Sequence, residues 1–119
     1  MSTFGGIDIL FNNAATQNEI RDIVDLPTDQ WLNTFNTNIH PLYYLSKASI
    51  KHLKPGSSII NNASVNAYFG RPDLLDYTSA KGAVVSFTRG LCNQYASRGI
   101  RVNSVAWVSI FCYNYNYYS

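Results

Sequence analysis

The chain has 119 residues, enough for one domain, and 46% of them are hydrophobic, which supports a packed core and excludes disorder by composition. Nine basic against seven acidic residues leave a formal net charge of +2, and the basic residues are scattered, so nothing electrostatic points to nucleic acid or an anionic membrane. Two cysteines, Cys92 and Cys112, are too few for a disulfide framework and fit a reducing, cytoplasmic compartment, and they form no zinc-ligand spacing with His40 or His52.

Met1-Ser2-Thr3-Phe4 lacks the basic and apolar segments of a secretory leader, and no run of about 18 apolar residues follows to span a membrane. Ile7-Asp8-Ile9-Leu10-Phe11 is a short apolar run, entered through Gly5-Gly6 and left through Asn12-Asn13-Ala14-Ala15. It reads as a buried parallel strand. Thr16 to Pro27 is polar and mixed, a loop. Thr28 suits an N-cap, with Asp29 in the first turn where the helix dipole favours an anion. The spacing predicts a helix from Asp29 to Leu53, with Trp31, Leu32, Phe35, Ile39, Leu42 and Leu45 on one buried face and Pro55-Gly56 as the stop. Pro41 lies inside that helix. It has no N–H, so the Thr37 carbonyl four residues back loses its partner and a kink is expected. Asn38 then sits where the backbone ladder is open, beside carbonyls that can hold ordered water. A plain bend of a long helix around the core is the other reading of Pro41, and the pattern by itself favours it.

A second strand is expected over Ser58 to Asn61, and a second long helix from Leu75 to Ser97, with Gly99 in the left-handed position beyond it. Ala80, Ala83, Val84, Phe87 and Leu91 give that helix an apolar face, and Ser79, Gly82, Ser86 and Gly90 permit close approach. Ile100 to Ala106 is a third strand. Strand, helix, strand, helix, strand calls for an α/β fold with a parallel sheet and right-handed crossovers. From Trp107 the character changes: an apolar run to Cys112 is followed by the Tyr- and Asn-rich Tyr113 to Ser119. Such a tail can extend the third strand or promote association.

The chemistry concentrates between Ser64 and Lys81. Tyr77 and Lys81 are four apart, so their side chains leave one face of the helix. An ammonium near a phenol favours the phenolate, whose pKa is otherwise about 10, and this makes a tyrosine a proton donor and acceptor near neutral pH. Ser64 stands at a strand end thirteen residues before Tyr77, far enough for a loop to fold back over that end. Each element alone is weak. Nine tyrosines and four lysines in this length give about 0.3 such pairs by chance. Alone, Tyr77 and Lys81 are an amphipathic helix start, Ser64 is a loop-capping serine, and Asn12-Asn13 is a turn. Together they gather at the carboxyl ends of strands, or on the helices that follow, the edge where open α/β sheets bind ligands.

Taken together these residues resemble the short-chain dehydrogenase/reductase family of the classical type, over Phe4 to Ala106. Phe4 to Ala15 resembles the family's central strand and its Asn-Asn-Ala-Gly motif, with Ala15 in place of the glycine. Asn38 matches the helix asparagine, Ser64 the catalytic serine, Tyr77 and Lys81 the catalytic tyrosine and lysine, and Gly99 to Ala106 the strand that follows. The opening Asn-Asn-Ala-Ala-x-Gln and the Leu74-Leu75-Asp76-Tyr77 approach are most similar to bacterial and fungal sugar- or polyol-type members.

The resemblance implies a partial Rossmann-like, doubly wound sheet and an NAD(P)-dependent oxidoreductase that interconverts an alcohol and a carbonyl of a small molecule. Tyr77 would exchange the proton, Lys81 would assist it and bond the nicotinamide ribose, and Ser64 would bond the substrate oxygen. Asn38 would hold a water that relays protons from Lys81, while Asn12 and the Ala14 backbone would line the cofactor ribose. It also implies pairing of the two long helices with a second subunit. Two features depart from the family: the sequence has no Gly-rich Thr-Gly-x-x-x-Gly-x-Gly turn for the pyrophosphate, and Ala106 is followed by Trp107 rather than by Pro-Gly. Residues 4–106 are therefore expected to be the catalytic half of a reductase domain and 107–119 a divergent tail. On that footing the chain is a fragment, inactive alone, with cofactor binding of its own in question. The alternative is a non-catalytic remnant, an interaction module whose exposed sheet edge favours aggregation.

Overall fold

The computed structural model describes residues 5–107. Three strands form one parallel sheet in the order β1-β2-β3: Ile7–Asn12, Leu53–Ser64 and Arg101–Trp107. Between β1 and β2 run α1, Thr28–Asn38, and α2, His40–Ser49, followed by a short 3₁₀ turn at Ile50–His52. Between β2 and β3 lie the one-turn α3, Asn66–Phe69, and the long α4, Leu75–Tyr95. The α/β class, the parallel pairing and the three strands follow the sequence expectation.

The single long helix expected from Asp29 to Leu53 is two helices. Ile39 leaves helical geometry at φ −126°, ψ −45°, and Pro41 falls in the first turn of α2, where its missing N–H costs nothing. The Leu42 N–H, which would serve Asn38 in an unbroken helix, donates instead to the Ile39 carbonyl at 3.1 Å. The proline thus starts a helix rather than bending one. Pro27, not Thr28, occupies the N-cap, and no side chain caps α1. The buried stripe also differs from the expected apolar face. It is Thr34, Asn38, Leu42, Ser46 and Ser49, whereas Leu32 and Leu45 are exposed. Trp31 and Phe35 stack with ring centroids 4.9 Å apart.

Pro55-Gly56 does not end a helix; it forms a bulge inside β2. Ile7 pairs with Leu53 and Ile9 with Ser58, so the intervening residues of β2 loop outward. Gly56 takes φ +93°, which a side chain would strain, and its N–H donates to the Gly99 carbonyl at 2.8 Å. Gly99 closes the turn after α4 in the left-handed region, as expected.

The core divides along the strands. Leu53, Ile59, Ile100 and Val102 pack at the amino ends, joined by Leu10, Leu91 and Tyr95. Leu42, Ala63, Val84 and Val85 pack at the carboxyl ends. Because that second cluster unites α2, α4 and Ala63 of β2, both helices lie on one face of the sheet. The opposite face is uncovered by described residues. Ile9 is 64% exposed and Phe11 49%, alternating with the more buried Leu10 and Asn12. The run read as a strand buried on both faces is therefore buried on one. Trp107 continues β3 opposite Ser64 instead of beginning the tail; the remainder of the expected tail lies outside the described residues. No helix among the described residues is long and apolar enough to cross a membrane.

Candidate active site

The site forms where β2 ends. Ser64 is the last residue of that strand, buried, and its Oγ accepts the Asn66 N–H at 3.2 Å. That bond fixes the turn into α3 and leaves the hydroxyl proton free to donate. Tyr77 lies in the first turn of α4, half-buried, and Lys81 follows one turn later on the same face. Lys81 is 1% exposed. Its Nζ donates to the Asn62 carbonyl at 2.6 Å and stands 5.5 Å from the Tyr77 ring centroid. Burial holds the Lys81 ammonium below its ordinary value of 10.5, because loss of water disfavours the charged form. The fold therefore brings Ser64, Tyr77 and Lys81 to one strand end, with the Asn62 carbonyl as the anchor for the lysine.

Asn38 is placed differently from its expected water-holding role. Its amide is engaged at both ends: Nδ2 donates to the Thr16 carbonyl at 2.8 Å, and the Thr16 N–H donates to Oδ1 at 2.7 Å. The side chain ties the loop after β1 to the end of α1. Since the Leu42 N–H turns to Ile39 and Pro41 has no N–H, the Asn38 backbone carbonyl accepts no backbone N–H among the described residues.

Asn12 is buried at the end of β1 and donates from Nδ2 to Asn61 Oδ1 at 2.8 Å. Asn61 Nδ2 donates in turn to Thr88 Oγ1 at 3.0 Å, which donates to the Val84 carbonyl at 2.8 Å. Asn12 Oδ1 is buried and has no partner among the described residues. Ala14 lies exposed in the loop just beyond. On the uncovered side Asn62 Nδ2 donates to Asn13 Oδ1 at 2.8 Å. The Asn-Asn pairs at 12–13 and 61–62 thus lace two strand ends together, one pair on each face.

The loop leading to Tyr77 is also clamped. The Ile20 N–H donates to the Asp73 carbonyl at 2.9 Å, and Arg71 bridges Glu19 and Asp73 at 2.7 Å each. The hydrogen bond from Arg71 holds the Asp73 carboxyl below the usual carboxylate range. Sequence reasoning missed one group beside the site, Asp76. It is 1% exposed, and its Oδ2 accepts Thr34 Oγ1 at 2.6 Å and Gln30 Nε2 at 3.3 Å. Its Oδ1 accepts the Tyr77 N–H at 2.8 Å. The available signal was the spacing of Gln30 and Thr34, four apart on α1, opposite an acid in the first turn of α4.

A family model described as enoyl-(acyl carrier protein) reductase matches residues 1–110. An uncharacterised oxidoreductase of Schizosaccharomyces pombe is 57% identical over 106 residues, which are 89% of this chain and 37% of that protein. The NADPH-dependent aldehyde reductase 1, chloroplastic, of Arabidopsis thaliana is 52% identical over the same shares. A solved short-chain dehydrogenase/reductase of Brucella melitensis, described as a glucose/ribitol dehydrogenase, is 36% identical with a TM-score of 0.83, covering 89% of this chain and 44% of that one. The chain spans about 37% of the length of the curated relatives it matches. With the family model matching nearly the whole chain and the solved relative sharing its parallel sheet, the chain belongs to the short-chain dehydrogenase/reductase family.

Proposed function

We propose that these residues are the catalytic portion of an NAD(P)-dependent oxidoreductase that interconverts an alcohol and a carbonyl, with a sugar, polyol or small aldehyde as substrate. The observation that carries the reading is Lys81: a buried ammonium anchored 2.6 Å from a strand-end carbonyl and 5.5 Å from the ring of Tyr77. Burying a charge is costly unless it is paired or hydrogen-bonded, and among the described residues one carbonyl hydrogen bond and no ion pair offset that cost. The substrate range follows from relatives described as an aldehyde reductase and a glucose/ribitol dehydrogenase.

Ser64 donates its free hydroxyl proton to the substrate oxygen and stabilises the charge that develops there. Tyr77 gives a proton to that oxygen during reduction and takes one during oxidation. Lys81 holds its place through Asn62, which uses one of its three N–H groups. The other two are available to the phenol and to a ribose hydroxyl. At the end of the neighbouring strand, Asn12 Oδ1 is an acceptor without a partner among the described residues and Ala14 is exposed, so this donor and acceptor set suits the sugar end of a dinucleotide. The cofactor, when bound, supplies or accepts the hydride. The Asn38 carbonyl, left open by the helix break, is the group that would hold a relaying water.

No Gly-rich pyrophosphate turn occurs in the 119 residues, so binding by this chain is weak and the chain alone does not turn over. Titration with NADH and NADPH tests the site, followed by the side-chain resonances of Lys81. Binding in the millimolar range that Lys81→Met abolishes supports the reading. No binding at millimolar cofactor leaves a second reading, an association module, which the exposed Ile9, Phe11 and Trp107 on the uncovered face favour. Turnover by the isolated chain that Tyr77→Phe abolishes would overturn the claim that it is inactive alone.

A further inference from the structure

Resting on the reading of Tyr77 as the proton donor, we infer that Asp76 is a positioning residue, whose buried carboxylate locks the first turn of α4 onto α1 and so aims the Tyr77 phenol. Three donors converge on this carboxylate: two from α1 on Oδ2, and the Tyr77 N–H on Oδ1. A carboxylate accepts from all three at once; the Thr34 hydroxyl can also turn to accept, but the Tyr77 N–H can only donate, and the Gln30 Nε2 as placed only donates. An asparagine would turn an N–H₂ toward either Thr34 and Gln30 or the Tyr77 amide. The carboxylate is 1% exposed and Thr34 fully buried, and Asp76 makes no ion pair among the described residues. The positive end of α4 and these three hydrogen bonds are what offset its loss of water.

A helix cap alone does not need this arrangement. Capping uses Oδ1 and the adjacent amide; the two donors on Oδ2 come from another helix. Gln30 extends the tie, because its Nε2 also donates to the Asn18 carbonyl at 3.2 Å. One side chain of α1 thereby meets both the loop after β1 and the acid beside Tyr77. Asn38, at the far end of α1, binds the same loop through Thr16. The loop, α1 and the start of α4 form one hydrogen-bonded frame, and Tyr77 is the residue next to its junction.

The test is magnetic resonance on the 119-residue chain, with the Tyr77 ring assigned by its loss in Tyr77→Phe. Cross-peaks between that ring and the Lys81 side chain report placement. In Asp76→Asn and in Thr34→Val they should fall at least about twofold, while Thr34→Ser, which keeps the hydroxyl, retains them. The Tyr77 amide should exchange about tenfold faster in Asp76→Asn, with Val84 and Val85 unchanged. Should Asp76→Asn fail to fold, Thr34→Val against Thr34→Ser decides, since neither removes the carboxylate. Unchanged cross-peaks in the valine variant overturn the inference. So does unfolding of the valine variant, because positioning requires a folded chain in which Tyr77 alone shifts. None of these readouts needs cofactor or turnover, so a negative result for the redox reading and a negative result here are distinguishable.

Discussion

Substitution of Asn38 separates two roles for this residue. The structure gives its side chain the Thr16 backbone as partner on both sides, at 2.7 and 2.8 Å, in a position 1% exposed. Asn38→Ala removes both bonds and leaves a part-buried N–H and carbonyl unpaired. Each bond contributes about 1 kcal/mol net, and each stranded group adds a desolvation penalty, so a loss of about 3 kcal/mol is expected. Asn38→Asp is the sharper case. It still accepts the Thr16 N–H, but it sets an oxygen against the Thr16 carbonyl. The cost at neutral pH should be similar, about 2–3 kcal/mol. Protonation restores a donor, so the folded carboxyl is held above its unfolded value. The deficit should therefore shrink as pH falls through the carboxylate range. Urea unfolding followed by circular dichroism reads the stability, and amide exchange at Thr16 reads the bond. An alanine variant within about 0.5 kcal/mol of the parent, or an aspartate variant with no penalty at neutral pH, would refute the anchoring role.

Other outcomes follow from the same structure. The folded Lys81 has a pKa below 10.5 while the unfolded lysine does not, so the folded chain binds fewer protons between the two values and gains stability as pH rises through that window. Thermal unfolding of the parent and of Lys81→Met across alkaline pH should show this slope in the parent only; equal slopes would contradict the burial account. Ile59→Ala empties the centre of the amino-end cluster, where Ile59 is 0% exposed, and should cost about 2–5 kcal/mol by denaturant midpoint. Phe11→Lys places a charge on the uncovered face, where Phe11 is 49% exposed. It should reduce self-association by light scattering while moving the unfolding midpoint by less than about 1 kcal/mol. Undiminished association would remove that face from the account.

β1, β3, the central part of β2 and α4 were legible, most of them from their own punctuation. Gly5-Gly6 and Asn12-Asn13 bracket β1, Gly99 closes α4, and Tyr77 and Lys81 share a helix face by spacing alone. The helix break was half legible. Pro41 announces a disturbance, but whether a proline bends a helix or begins one depends on the backbone just before it, and Ile39, two residues earlier, gives no sign in the sequence of leaving helical geometry. The buried stripe of α1 and α2 was misread for a different reason. Thr34 and Asn38 are polar yet buried, because they find their partners in Asp76 and Thr16, 42 and 22 residues away, and the small Ser46 and Ser49 share the stripe. Periodicity counts apolar residues and cannot see a polar side chain satisfied across the fold. The same blindness hid Asp76 and the Asn12–Asn61 bond, whose partners are 49 residues apart. The bulge at Pro55-Gly56 was read as a helix stop because Pro-Gly serves both uses, and only pairing with β1 and Gly99 decides.

The proposed acid–base group near the end of β2 should work once a complete cofactor site surrounds it. The most direct measurement places residues 4–106 of this chain into the Arabidopsis aldehyde reductase in place of its matching segment, to which this chain is 52% identical over 106 residues, and follows NADPH-dependent aldehyde reduction with and without Tyr77→Phe. On this proposal the chimera should be active, with a kcat that falls by about 10²–10⁴ in the phenylalanine variant, the range supplied by a positioned acid. A folded, cofactor-binding chimera that is inactive, or one that keeps its rate without the phenol, would contradict it.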